Sequence, residues 1–391
     1  MTRPLTVMLV AAEASGDALG AGLAKALKAL ETPDQPLRFV GVGGARMAEL
    51  GIQSPFDIAE LSILGLFEGV KALPRVKARV RDTVAFARQE QPDVVILIDS
   101  WGFTLRVARA LRTVWPDLPL IKYVGPQVWA SRPGRAKTLA RTVDLLLALH
   151  PFDPPWFEKE GLKTVFVGNP ALEVDLSQAD PDRFRAAMGW GGDQASVMIL
   201  PGSRPSEIAR MMPVFELAAR RIKQARPDVQ FLMPLAETVA GQVEGLVATW
   251  PMRVHLVRGE TAKHDAMKAA TVALACSGTV STELAIAGCP MVVGYRVGTM
   301  TYWLLKLILT LPFITMFNIA AGRAVAPEFV QSGCTPEALA EAVLERLNNP
   351  SLRAEQIQGQ TDALIKMGRG GPDPSELAAR AVIDFMKDRR S

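Results

Sequence analysis

Three cysteines in 391 residues, Cys276, Cys289 and Cys334, form no C-x-x-C pair and are odd in number. That composition excludes a disulfide framework and the usual zinc spacings, and it suits a reducing compartment. Histidines are as scarce, three and far apart, which argues against a histidine-ligated metal. Aromatics are only 6% of the chain and do not alternate with basic residues as a platform for stacking single strands would require, so no nucleic-acid partner is expected. Net charge is just +4, and basic residues gather in two places, Lys71, Arg75, Lys77, Arg79, Arg81 and Arg132, Arg135, Lys137, Arg141. No apolar run reaches the roughly 18–20 residues of a membrane span. The longest, Trp303–Phe317, holds Lys306 and Pro312. The run Leu5–Ala12 is short for a secretory signal and is followed at once by Glu13 and Asp17, so a buried first strand is expected there.

What the chain has is material for large cores: 49% apolar against 21% charged residues, in a length that suits two domains. Short apolar runs at Thr6–Ala11, Arg38–Val42, Asp93–Ile98, Leu120–Val124, Val143–Leu149 and Thr164–Val167 alternate with helical patterns such as Ala18–Leu30, Lys71–Gln89 and Phe103–Val114. Strands buried on both faces read this way, and the alternation predicts a parallel sheet with right-handed crossovers. After Gly168-Asn169-Pro170 a polar stretch, Glu173–Asp182, marks a boundary, and the pattern restarts with Val197–Leu200, Val229–Met233, Val254–Val257, Val272–Ala275 and Met291–Val293. The expectation is an α/β protein of two doubly wound parallel-sheet domains facing a cleft, residues 1–175 and 176–349. The C-terminal helices, 350–391, are expected to pack back on the first domain or on a partner subunit.

Two turns can carry anion chemistry. Leu200-Pro-Gly202-Ser203-Arg204-Pro-Ser-Glu207 and Ser277-Gly278-Thr279-Val-Ser-Thr-Glu283 each follow a strand and open a helix, where main-chain N–H groups point at an anion. Arg204 can add paired contacts to phosphate oxygens, and Glu283 can accept from ribose hydroxyls. Each turn also reads as an ordinary capped βα turn, with Ser206 as cap in the first and Glu283 closing a capping box in the second. In the first half Glu13-Ala-Ser15-Gly16-Asp17 is too acidic for a phosphate and suits sugar hydroxyls. Gly41-Val-Gly43-Gly44 is a weak look-alike of a dinucleotide fingerprint. Asp99 ends the run Val94–Ile98 at a strand tip, where a base is useful; the rival reading is a cap for the helix near Phe103. His150 reads as structural, and Asp182 of Asp180-Pro-Asp182 as an N-cap rather than a metal ligand, so no metal or cofactor is expected.

Taken in order, Glu13–Asp17, Phe39-Val-Gly-Val, Ile98-Asp99, Gly125-Pro-Gln127-Val-Trp129, Leu200–Arg204 with Glu207, Ser277-Gly-Thr with Glu283, Pro290–Arg296, and Asn318 with Ala321-Gly322-Arg323 resemble the lipid A disaccharide synthase family, inverting glycosyltransferases of the GT-B fold. The resemblance covers nearly the whole chain. It implies UDP-2,3-diacylglucosamine as donor and 2,3-diacylglucosamine 1-phosphate (lipid X) as acceptor. It further implies metal-free action at the inner face of the inner membrane and pairing as a homodimer. Asp99 is then the base. Glu13, Ser15, Asp17 and Gln127 take the acceptor, and Gly202, Ser203, Arg204, Glu207, Ser277, Gly278, Thr279, Glu283, Asn318 and Arg323 hold UDP. The chain departs from the family pattern at Ala12, at Ser100-Trp101-Gly102 and at Asn169. Another UDP-sugar enzyme of this fold, such as a UDP-N-acetylglucosamine epimerase, and a non-catalytic binding protein are the competing readings; the apolar stretches at 61–70 and 303–317 favour a lipid substrate.

Overall fold

The computed structural model describes residues 3–33, 35–61, 73–192, 194–298 and 312–389. Most of the expected membrane-facing run Leu61–Phe67, and residues 303–311 of the second apolar stretch, lie outside them. The chain divides into two compact units, Met1–Pro170 with Gly371–Ser391, and Ala171–Gly370.

The first unit holds a six-stranded parallel sheet in the order β2-β1-β3-β4-β5-β6. Its strands are β1 (Leu5–Val10), β2 (Leu37–Val42), β3 (Val94–Ile98), β4 (Leu120–Tyr123), β5 (Leu145–Ala148) and β6 (Lys163–Phe166). β1, β3, β4 and β5 are buried along their whole length, as double-sided burial of apolar runs demands, whereas the edge strand β6 is largely half-exposed. The crossovers are α1 (Ala14–Ala29), the short α2 (Ala45–Ala48), α3 (Leu73–Glu90), α4 (Trp101–Val114), α5 (Gly134–Ala140) and α6 (Pro154–Glu158).

The second unit repeats the plan with the order β12-β11-β10-β7-β8-β9. Its strands are β7 (Ser196–Leu200), β8 (Gln230–Pro234), β9 (Val254–Val257), β10 (Val272–Ala275), β11 (Met291–Tyr295) and β12 (Glu328–Val330). Helices α7 (Pro181–Met188), α8 (Pro205–Ala225), α9 (Ala240–Val247), α10 (Glu260–Ala269), α11 (Thr279–Ile286), α12 (Met316–Ala321), α13 (Pro336–Asn348) and α14 (Pro350–Lys366) belong to it, while α15 (Pro374–Asp388) returns to the first unit.

The block 350–391 therefore splits. Gln356 and Gln360 of α14 donate to the carbonyls of Met291 and Cys289, fixing that helix to the second sheet. By contrast Ala378, Ala379, Val382, Phe385 and Met386 of α15 join the core formed by α1 and β1. The cap of α7 is Asp180, which accepts from Asp182 N at 2.9 Å and Arg183 N at 3.1 Å, rather than Asp182, because Pro181 already occupies the first helical position.

Candidate active site

In the first unit the sheet's C-terminal ends bring Ser15 and Asp99 together, with Ser15 Oγ 3.4 Å from Asp99 Oδ2. Asp99 does not cap the following helix, whose N-cap residue Ser100 lacks a side-chain cap. Its main chain is unusual: Asp99 (φ 48°) and Ser100 (φ 36°) are consecutive non-glycine residues in the left-handed region, and Val124, at the tip of the neighbouring β4, has φ 71°. Such conformations cost on the order of 1–3 kcal/mol each and persist only where the surroundings enforce them. Trp101, where the chain departs from the family, lies under Arg135 of α5 at 5.1 Å, a cation–π pair joining it to the second basic cluster.

Glu13, Ser15 and Gln127 are exposed. Asp17 is not: it is 4% exposed, and its carboxylate accepts from the amides of Gly44 (2.7 Å), Arg46 (2.9 Å) and Met47 (3.1 Å), the first turn of α2. Asp17 thus builds the fold beside the site instead of reaching a ligand. The Gly-rich run after β2 is explained by the same contact, since a Cβ on Gly44 would stand 2.9 Å from Asp17 Oδ2 and one on Gly43 2.5 Å from Met47 Sδ.

Trp129 and His150 are also placed by a buried carboxylate. Trp129 Nε1 donates to Asp153 Oδ1 at 2.7 Å, His150 N to Asp153 Oδ2 at 3.2 Å, and the imidazole stacks on Phe152 at 5.1 Å. Burial pushes the Asp153 carboxyl up to about 6, against those two hydrogen bonds, and pushes the His150 imidazole down to about 4. The two groups oppose one another in pH. Ionising Asp153 removes stability as pH rises from 3.8 towards 6, whereas charging His150 removes stability as pH falls from 6.5 towards 4. Each shift corresponds to about 3 kcal/mol at 1.36 kcal/mol per pH unit. Relative to wild type, Asp153→Asn should gain roughly that much between pH 4 and 6 in urea unfolding of the first unit. His150→Phe should gain it as pH falls from 6.5 to 4. Parallel pH curves for variant and wild type would contradict the assignment.

In the second unit, Gly202, Ser203, Arg204, Glu207, Ser277, Gly278, Thr279 and Glu283 line one cavity of about 440 Å3. The first turn differs from a simple anion cradle. Glu207 reaches back so that its Oε2 accepts from Ser203 N (3.0 Å) and Arg204 N (3.3 Å) while Oε1 pairs with Arg204 at 3.0 Å. The N-cap is thus Arg204, not Ser206, with Glu207 as the third-position half of a capping box, and that carboxylate already takes those two amides. Gly202 (φ 119°) makes room for it: a Cβ there would fall 2.6 Å from Glu207 Oε2. What remains for an anion is the Arg204 guanidinium, 72% exposed, and the N-terminus of α11, whose N-cap Gly278 carries no side-chain cap and has open space around it.

Glu283, unlike Glu207, completes no capping box. It pairs at 2.9 Å with Lys263 of α10, which also holds Glu260 at 2.7 Å. Burial works against the Lys263 charge, yet the two carboxylates outweigh it and raise its pKa. Lys263 was not singled out in the sequence, where it sits in a polar helical stretch without a motif.

Asn318 and Arg323 lie away from the cavity lining. Asn318 is fully buried and saturated: Nδ2 donates to Ala326 O (2.9 Å) and Glu328 Oε1 (2.7 Å), and Oδ1 accepts from Val325 N (2.8 Å) and Ala326 N (3.0 Å). No donor or acceptor is left for a nucleotide. Its partner Glu328 also accepts from Ile314 N and Thr315 N, and Ser277 Oγ donates to the Ile314 carbonyl, so Asn318 shapes the loop behind the second turn. Arg323 is exposed, its guanidinium beside Gly359 of α14.

A family model described as Lipid-A-disaccharide synthetase matches residues 7–380. The Lipid-A-disaccharide synthase of Rhodospirillum centenum is 41% identical over 387 residues, covering 99% of this chain and 96% of its own. Among solved structures, the glycotransferase of kitacinnamycin aligns with a TM-score of 0.59 at 17% identity, over 98% of this chain and all of that one. The UDP-GlcNAc 2-epimerase from Neisseria meningitidis, bound to UDP-GlcNAc, aligns at 0.56 and 12%, over 99% and 100%. At such identities the structures share the fold, GT-B with its two Rossmann-like units, and the epimerase likeness goes no further than that.

Proposed function

Because the chain belongs to the lipid-A-disaccharide synthetase family, we propose that it joins UDP-2,3-diacylglucosamine to the 6-hydroxyl of 2,3-diacylglucosamine 1-phosphate, releasing UDP and the β-1,6-linked disaccharide 1-phosphate. The observation that carries the residue assignment is Asp99, a half-buried carboxylate at the tip of β3 held in the costly left-handed region. Asp99 takes the proton of the acceptor hydroxyl as its oxygen bonds to the donor's anomeric carbon. The bond from that carbon to the diphosphate oxygen breaks from the opposite face, and the configuration inverts. Glu13, Ser15 and Gln127 receive the acceptor's polar groups.

UDP occupies the cavity of the second unit. Its diphosphate meets Arg204 and the open end of α11, with Ser277, Gly278 and Thr279 close to it, while Glu283, oriented by Lys263, accepts from the ribose hydroxyls. A guanidinium and a helix N-terminus aimed at the departing charge do the work a divalent ion does in metal-dependent transferases. Turnover in EDTA should therefore match the untreated rate. Loss of activity in EDTA with rescue by Mn²⁺ would contradict this mechanism.

Both substrates carry acyl chains, so the acceptor unit works at a bilayer surface, here assigned to the inner face of the inner membrane, with the protein as a homodimer. No helix among the described residues is long and apolar enough to cross a membrane. Basic residues of α3 just after the apolar run, Arg75, Lys77 and Arg81, support peripheral contact with anionic lipid, each worth about 1 kcal/mol near such a surface; Arg79 is occupied by Glu60 and Asp82. Wild type should float with anionic vesicles at low salt and detach at high salt. Leu64, Leu66 and Phe67 changed together to Ser should abolish flotation in a folded protein; full flotation by that variant would place the contact elsewhere.

A further inference from the structure

Lys122 stands where a packing residue would be expected. It is the third residue of β4, between Ile121 and Tyr123, and is 2% exposed. A lysine stripped of water in this way loses much of its hold on the proton, and burial brings Lys122 down to about 7 while the neighbouring Asp99 charge pulls the other way. The side chain also engages one feature twice over. Its Nζ donates to the main-chain carbonyl of Asp99, and at 3.0 Å to Thr104 Oγ of α4. That hydroxyl in turn lies 2.7 Å from the same Asp99 carbonyl and 3.0 Å from that of Ser100.

The carbonyl gripped by both groups belongs to the peptide between Asp99 and Ser100, the two consecutive left-handed residues. The other main-chain group of Asp99 is held from the same strand, its N–H donating to Tyr123 O at 2.9 Å. Adjacent residues of β4 therefore fix Asp99 at both its main-chain polar groups. An unfavourable conformation survives only when its surroundings over-determine it, and a main-chain turn at a strand tip sets where its side chain points. We infer that Lys122, assisted by Thr104, is a positioning residue for Asp99: it locks the left-handed turn that aims the carboxylate at the acceptor hydroxyl. The inference rests on Asp99 being the base.

The test is a kinetic double-mutant cycle. Lys122→Met keeps the length and apolar stem of the side chain and removes its donor, so the protein should fold with an unchanged or raised melting temperature. Its kcat should fall about 10²-fold, the loss typical of an ångström-scale misplacement, with KM for both substrates within about threefold of wild type. In an Asp99→Asn background the same change should alter the residual rate less than about threefold, because a residue that acts through Asp99 has nothing left to position. Lys122→Met with more than a third of the wild-type kcat, or with an equal loss in both backgrounds, would overturn the inference while leaving Asp99 as base. Full activity of Asp99→Asn alone would remove the base and the inference with it. Should Lys122→Met not fold, Thr104→Val enters the same cycle, with about a tenfold loss of kcat expected and an unchanged kcat overturning the role.

Discussion

Asp99→Asn is expected to yield a folded protein that binds UDP as wild type does and turns over about 10²–10⁴-fold more slowly, the usual worth of a general base. The amide keeps the size of the carboxylate and can still accept from Ser15, 3.4 Å away, so the main-chain turn has no reason to change. UDP affinity should be untouched because the cavity proposed for the nucleotide is lined wholly by residues of the other unit. Rate and binding must therefore separate. Retention of more than roughly a tenth of the rate would make Asp99 a structural residue and require another base.

The second large effect belongs to the cavity proposed for the donor. Arg204→Ala should weaken UDP at least tenfold, since a hydrogen bond to a charged group is worth about 1.5–3 kcal/mol. The structure sharpens this expectation. With the Ser203 and Arg204 amides taken by Glu207, the guanidinium is the cation that the first turn offers. Glu283→Ala should weaken UDP more than free pyrophosphate, because it removes the proposed ribose acceptor and leaves the proposed phosphate contacts. Calorimetric titration with both ligands separates the two. Unchanged UDP affinity in both variants would move the donor site away from this cavity.

The strands of both sheets were legible because β1, β3, β4 and β7 bury both faces, and that burial writes an unbroken apolar run into the sequence. β12 was not: three half-exposed residues at a sheet edge leave no pattern. Helix α14, with a readable start in Asn349 accepting from Leu352 N and Pro350 at the first helical position, was grouped with the last helix although it belongs to the second unit. Its attachment to the second unit runs through Gln356 and Gln360, polar residues that an apolar-face reading discards.

At the site, residue types were legible and their partners were not. Both turns were found, but Arg204 stands at the N-cap where a capping box usually has Ser or Thr, so Glu207 read as a ligand contact rather than as the group filling the turn. Asp17 and Asn318 are polar residues beside motif glycines, and only the folded structure reveals that Asp17 is tied to three amides and that the Asn318 amide is saturated. Lys122 was visible as a lone lysine in an apolar strand. Its meaning depends on Asp99 and Thr104, 23 and 18 residues away in sequence, which no local pattern connects.

The central claim is tested most directly by incubating the purified protein with UDP-2,3-diacylglucosamine and 2,3-diacylglucosamine 1-phosphate and following both products. The account predicts one UDP released for each β-1,6-linked disaccharide 1-phosphate formed, with neither product when the acceptor is omitted. Conversion of UDP-N-acetylglucosamine to its epimer, or binding of both lipids without release of UDP, would contradict it.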